Sequence, residues 1–123
     1  MQYMIAFSEP NDYSKIRTDP ERAGPYWGAW GAYIGALRDS GIVVTGYGLE
    51  PPNTGTLVTV RDGRRHVQDG PHPDSKENLG GFFVIDVPDL EAALEWAARS
   101  PAASYGHVEV RPIMPPPPGA PVA

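Results

Sequence analysis

The stretch Asp69-Gly70-Pro71-His72-Pro73-Asp74-Ser75-Lys76-Glu77-Asn78-Leu79-Gly80-Gly81-Phe82-Phe83-Val84-Ile85-Asp86 decides how the chain reads, because a charged turn runs without a linker into the most apolar strand pattern of the sequence. Asp-Gly-Pro is turn chemistry: Gly tolerates positive φ, Pro fixes its own φ, and Asp bonds back to nearby amides. Phe82-Phe83-Val84-Ile85 is β-branched and aromatic and has the length of a strand. Chemistry and core therefore meet at one place, and the elements on either side are read relative to it.

At the N-terminus, residues 2–8 read as a strand with Tyr3, Ile5 and Phe7 on one face and Met4 and Ala6 on the other. Apolar residues on both faces predict a central strand. Residues 8–24 are polar and turn-rich and read as a surface excursion, in which only Glu9, Asp12 and Arg17 have site chemistry. A helix is expected from Pro25, suited to the first helical position, to Ser40, with Gly41 as its stop. Trp27, Trp30, Ile34 and Leu37 form one apolar stripe on it. Gly28, Gly31 and Gly35 lie alongside, each costing about 1 kcal/mol relative to Ala. Such a row predicts close packing of this helix, or a groove in which a flat ligand lies against Trp27 or Trp30.

Residues 42–49 read as a second strand and 56–60 as a third, which turns at Asp62-Gly63 and returns through 65–68 to the Asp-Gly-Pro turn. After the strand at 82–87, Pro88 and Asp89 open a second helix whose buried stripe is expected to be Leu90, Ala93, Leu94 and Ala97. In 107–111, Val108 and Val110 alternate with His107, Glu109 and Arg111, the pattern of a half-buried strand. This order predicts an α+β fold, a ferredoxin-like antiparallel sheet with two helices on one face. Two helices cover only that face. The other keeps apolar side chains, so a homodimer through the sheet face, a dimeric α+β barrel, is expected. The domain is expected over 1–113, and the proline-rich residues 114–123 as a flexible tail.

With 123 residues and 41% hydrophobic content, the chain suffices for one core. A net charge of −5, with no basic run longer than Arg64-Arg65, argues against direct nucleic-acid binding. The absence of cysteine excludes thiolate chemistry and fits a cytoplasmic setting, and no apolar run has the length of a membrane span.

Asp69-Gly70-Pro71, Lys76-Glu77 and Leu79-Gly80-Gly81 resemble the signature of the YCII-related family, specifically its DGPF-type members. Residues 48–52, 90–97 and 108–112 also resemble that family. The resemblance implies a dimeric α+β barrel. In some relatives it implies a catalytic histidine–aspartate pair with the histidine after the first strand, and here no histidine precedes His66. His72 stands where the family usually has Phe.

The candidate proton-transfer residues are Asp69 and His72, because a carboxylate beside an imidazole sets its tautomer and pKa for acid–base work near neutral pH. Trp27, Trp30, Lys76 and Glu77 are the candidate ligand contacts. His66, Asp69 and His72 have no recognised metal-ligand spacing, so neither metal nor cofactor is expected. Two functions follow: a small-molecule cleft with lyase- or isomerase-like chemistry, or a non-catalytic dimeric interaction module, which the DGPF resemblance links to sigma factors and transcription regulation.

Overall fold

The computed structural model describes residues 1–70 and 75–119. Strand β1 (Gln2–Pro10) lies at the centre of a four-stranded antiparallel sheet, flanked by β5 (Glu77–Asp86) and β6 (His107–Pro112), with β2 (Val43–Gly48) at the far edge beyond β5. The order β2-β5-β1-β6 is that of a ferredoxin-like β-α-β-β-α-β unit. Helices α1 (Ala23–Asp39) and α2 (Leu90–Ala98) provide its two crossovers, and a short α3 (Ala102–Tyr105) leads into β6. Strands β3 (Thr56–Arg61) and β4 (Arg64–Asp69) form a separate two-stranded ribbon inserted between β2 and β5. Its turn is made by Asp62 and Gly63, both at positive φ, 53° and 75°, the arrangement that matches the twist of a two-residue hairpin.

Alternation along the strands sorts the core. Tyr3, Ile5 and Phe7 of β1 and Phe83 and Ile85 of β5 are buried against Trp30, Tyr33 and Leu37 of α1 and Ala93 and Ala97 of α2. Phe7 meets Trp30, Tyr33 and Phe83 edge to face, with ring centroids 5.0, 5.9 and 6.2 Å apart, a favoured aromatic geometry. Asp89 caps α2, its carboxylate accepting from the Ala92 amide at 2.9 Å.

Several expectations are corrected. The segment after β1 is not a plain surface excursion: β1 continues to Pro10, and a 3-10 helix spans Asn11–Thr18. In α1 the buried stripe is Trp30, Tyr33 and Leu37, while Trp27 is exposed and Ile34 half-buried. Gly28, Gly31 and Gly35 face open space rather than a closely packed neighbour, since a Cβ at any of them would meet nothing within 4 Å. In α2, Leu90 and Leu94 are exposed; the alanines face the sheet, where only a small side chain lets the helix approach. Among the described residues no helix is long and apolar enough to cross a membrane.

Candidate functional site

The alternation that buries Tyr3, Ile5 and Phe7 continues one step further, and the next residue on that face is Glu9. It is 6% exposed. A carboxylate taken out of water must recover its hydrogen bonds, and three side chains supply them. Tyr105 from α3 donates to Oε2 at 2.6 Å. The Tyr26 hydroxyl from the first turns of α1 lies 2.7 Å from Oε2 and 3.0 Å from Oε1. Arg17 of the 3-10 helix reaches Oε1 at 3.4 Å, an ion pair whose side chains are 16% and 7% exposed. Trp30 donates its indole N–H to the Tyr105 hydroxyl at 3.0 Å, so that Tyr105 both accepts and donates.

Arg17 ties three segments together. Its guanidinium donates to the Leu49 carbonyl at 2.6 Å, and its own carbonyl accepts from the Trp27 indole at 3.0 Å. Its Nε is buried with no partner among the described residues. Burial alone would lower the Arg17 pKa, but Tyr26 and Glu9 outweigh it and the pKa is raised, so the charge is secure. Burial, reinforced by the hydrogen bond to Glu9, pushes the Tyr26 and Tyr105 hydroxyls up as well, keeping both protonated as donors. Tyr13, on the same 3-10 helix as Arg17, stacks on Tyr105 with centroids 4.3 Å apart.

Glu9, Arg17 and Tyr26 of this cluster line the buried end of a cleft of about 480 Å³ between α1 and the β2–β5 side of the sheet, with Tyr105 behind them. Trp27, Trp30 and Ile34 line it from the helix, Phe7 and Phe83 from the sheet, and Gly46, Gly80 and Gly81 form a floor of bare backbone. All three glycines are required by close approach: a Cβ at Gly46 would run into the Phe83 ring, one at Gly80 would lie 2.9 Å from Glu9 Oε1, and one at Gly81 would lie 2.9 Å from the Tyr47 carbonyl oxygen. The Leu79-Gly80-Gly81 motif thus has a physical role, leaving room for the buried carboxylate.

The cleft brings together Trp27 and Trp30 but not the other candidates. Asp69 ends β4 opposite Thr56, exposed and away from the cleft. Lys76 is exposed, and Glu77 opens β5, paired with His107 of β6. His72 lies in residues 71–74, outside the described residues, as does the part of the Asp69-Gly70-Pro71 turn beyond Gly70. Among the described residues no three His, Cys, Asp or Glu side chains are grouped to hold a metal ion. Glu9 and Arg17 stand out in the sequence for their site chemistry, but ending the first strand at residue 8 hides the burial of Glu9; carrying the Tyr3-Ile5-Phe7 alternation two residues further finds it. Tyr26 likewise falls on the stripe of Trp30, Tyr33 and Leu37, whereas nothing in the sequence marks Tyr105.

The model of the YCII-related domain matches residues 1–116. The chain belongs to the YCII-related family. A curated relative by sequence is an uncharacterized protein of Rhizobium meliloti (strain 1021), 37% identical over 67 residues, which are 53% of this chain and 54% of that protein. The matched segment thus spans about half the length of that relative. In structure, this YCII-related chain is similar to the 5-chloro-2-hydroxyhydroquinone dehydrochlorinase of Burkholderia phenoliruptrix in complex with 2,5-dihydroxybenzoquinone, with TM-score 0.52 and 14% identity over 93% of this chain and 94% of that one. At that identity the likeness is one of fold.

Proposed function

We propose that this YCII-related protein binds a small planar molecule in the cleft and moves a proton on it, in a reaction of the lyase or isomerase class, with Glu9 as the base. The observation that carries this reading is the uneven satisfaction of the Glu9 carboxylate. Each phenol has one proton. Oε2 has the short contacts from Tyr105 and Tyr26, while Oε1 has only the longer approach of Tyr26 and Arg17 at 3.4 Å. Oε1 therefore keeps a lone pair open to the ligand's carbon-bound proton, the electron pair of that bond stays on the ligand's ring and oxygens, and Arg17 supplies positive charge for the anion so formed. The bare-backbone floor and indole walls suit a flat ring, and the dehydrochlorinase of the same fold holds a ring compound of that shape. The Asp-Gly-Pro turn supports placing the chain among the DGPF-type members.

The uncovered face of the sheet supports a homodimer. Met4, Ala6, Phe82 and Val84 lie on it by strand alternation, and the Tyr47 and Phe82 rings approach to 6.3 Å there, an apolar surface that no helix among the described residues covers. A dimeric interaction module without chemistry would use the same face but leave the cleft indifferent to ligands.

The test titrates 2,5-dihydroxybenzoquinone and related planar phenols against intrinsic tryptophan fluorescence, which Trp27 and Trp30 report from the cleft. Quenching that Trp27→Phe reduces is expected. Glu9→Gln, which still accepts from the phenols, should keep binding and abolish exchange of the bound compound's carbon-bound protons with solvent deuterium. Binding by none of these compounds would defeat the reading, and loss of exchange on Asp69→Ala with Glu9→Gln unaffected would move the chemistry to Asp69 and His72.

A further inference from the structure

The cleft extends past the indoles to Arg38 of α1. A second groove of about 460 Å³ lies along edge strand β2, and Arg38, Gly46 and Tyr47 line both cavities. Arg38 stands in the last turn of α1, where a cation complements the helix C-terminus; that role does not require it to line two cavities. Among the described residues no carboxylate lies within ion-pair distance of Arg38, although the chain has 15 acidic residues for 10 basic ones. Arg17, the other arginine of the cleft, is already engaged by Glu9 and Leu49. The two ends therefore differ in kind: a proton acceptor among phenols at the buried end, and an uncommitted guanidinium at the exposed end.

We propose that Arg38 determines specificity by binding an anionic group on the ligand, so that the cleft takes an elongated aryl acid with a hydroxyl at the Glu9 end and a carboxylate at the Arg38 end. The inference rests on the small-molecule reading of the cleft and deepens it. A helix rises about 1.5 Å per residue, so Tyr26 and Arg38 stand about 18 Å apart along α1, and a single bare ring contacts only one end. Helical side chains lean toward the N-terminus, which carries the Arg38 guanidinium back over the cleft. A guanidinium also presents paired donors that match a carboxylate, where an amide or ester accepts more weakly.

The experiment compares a hydroxybiphenyl carboxylate, its hydroxyl and carboxylate at opposite ends, with its neutral methyl ester, by titration calorimetry on the full chain. The acid should bind about tenfold more tightly than the ester, the gain of one charge-assisted contact. Arg38→Gln should erase that preference by weakening the acid far more than the ester, and added salt should narrow the preference in the wild type, because Arg38 is exposed. If acid and ester bind equally, or if Arg38→Gln keeps the preference, the anion-binding role falls while the cleft reading stands. If neither compound binds, the elongated-acid inference falls, and the cleft reading stands or falls separately on the titration of 2,5-dihydroxybenzoquinone.

Discussion

Glu9 concentrates the physics of the site in one side chain. Replacing it by Ala leaves a buried guanidinium and two buried phenols without their acceptor, and a loss of about 3–5 kcal/mol in urea denaturation is expected, the range for breaking a buried charge pair. Glu9→Gln keeps an acceptor and loses only the charge, so a smaller cost of about 1–3 kcal/mol is expected. Equal losses for the two variants would show that charge, not hydrogen bonding, dominates. The tyrosines set an alkaline limit. Tyr33, whose hydroxyl donates to the Trp96 carbonyl at 2.8 Å, is pushed up by burial, as Tyr26 and Tyr105 are by burial and by Glu9. A pKa raised by folding means that the unfolded chain, with phenols near 10, releases protons that the folded chain retains. Their contribution is complete below a pH of about 10 and is lost as pH rises above it. Melting temperature should accordingly hold through neutral pH and fall steeply above that point, and Tyr33→Phe should blunt the fall.

Among the elements, the helices show how far local pattern reaches. α2 begins where Asp89 announces it, and Asp89→Ala should cost about 0.5–2 kcal/mol by thermal or chemical denaturation, as loss of an N-cap does. Its buried face is narrower than a Leu-based stripe suggests, because the sheet admits Ala93 and Ala97 and leaves Leu90 and Leu94 outside. In α1 the row of glycines reads as a packing device, yet each position faces open space. What the row leaves clear is the flank of the helix that carries Trp27 and Ile34, and those side chains line the cleft. The β3–β4 ribbon is legible from Asp62-Gly63, but its separation from the main sheet is not, since hairpin signals specify a turn and say nothing about which sheet receives the strands.

For the whole molecule, the question is what covers the second face of the sheet. Val84, half-buried and opposite Met4, sits on that face. The expected outcome of sedimentation at micromolar concentration is a dimer in the wild type and a monomer for Val84→Glu, with the circular dichroism of the fold retained. A wild-type monomer would leave the apolar face without a partner in solution and defeat the homodimer proposal.

From the sequence alone came the central strand, the two crossover helices, the hairpin turn and the family, because each rests on local periodicity, on turn residues or on a contiguous motif. The convergence of Glu9, Arg17, Tyr26 and Tyr105 was decided only in three dimensions. These residues come from a strand end, a 3-10 helix, the start of α1 and a four-residue α3, and no sequence spacing relates them. What joins them is the demand of one buried carboxylate for donors, a demand that exists only once the strand has folded against its helices.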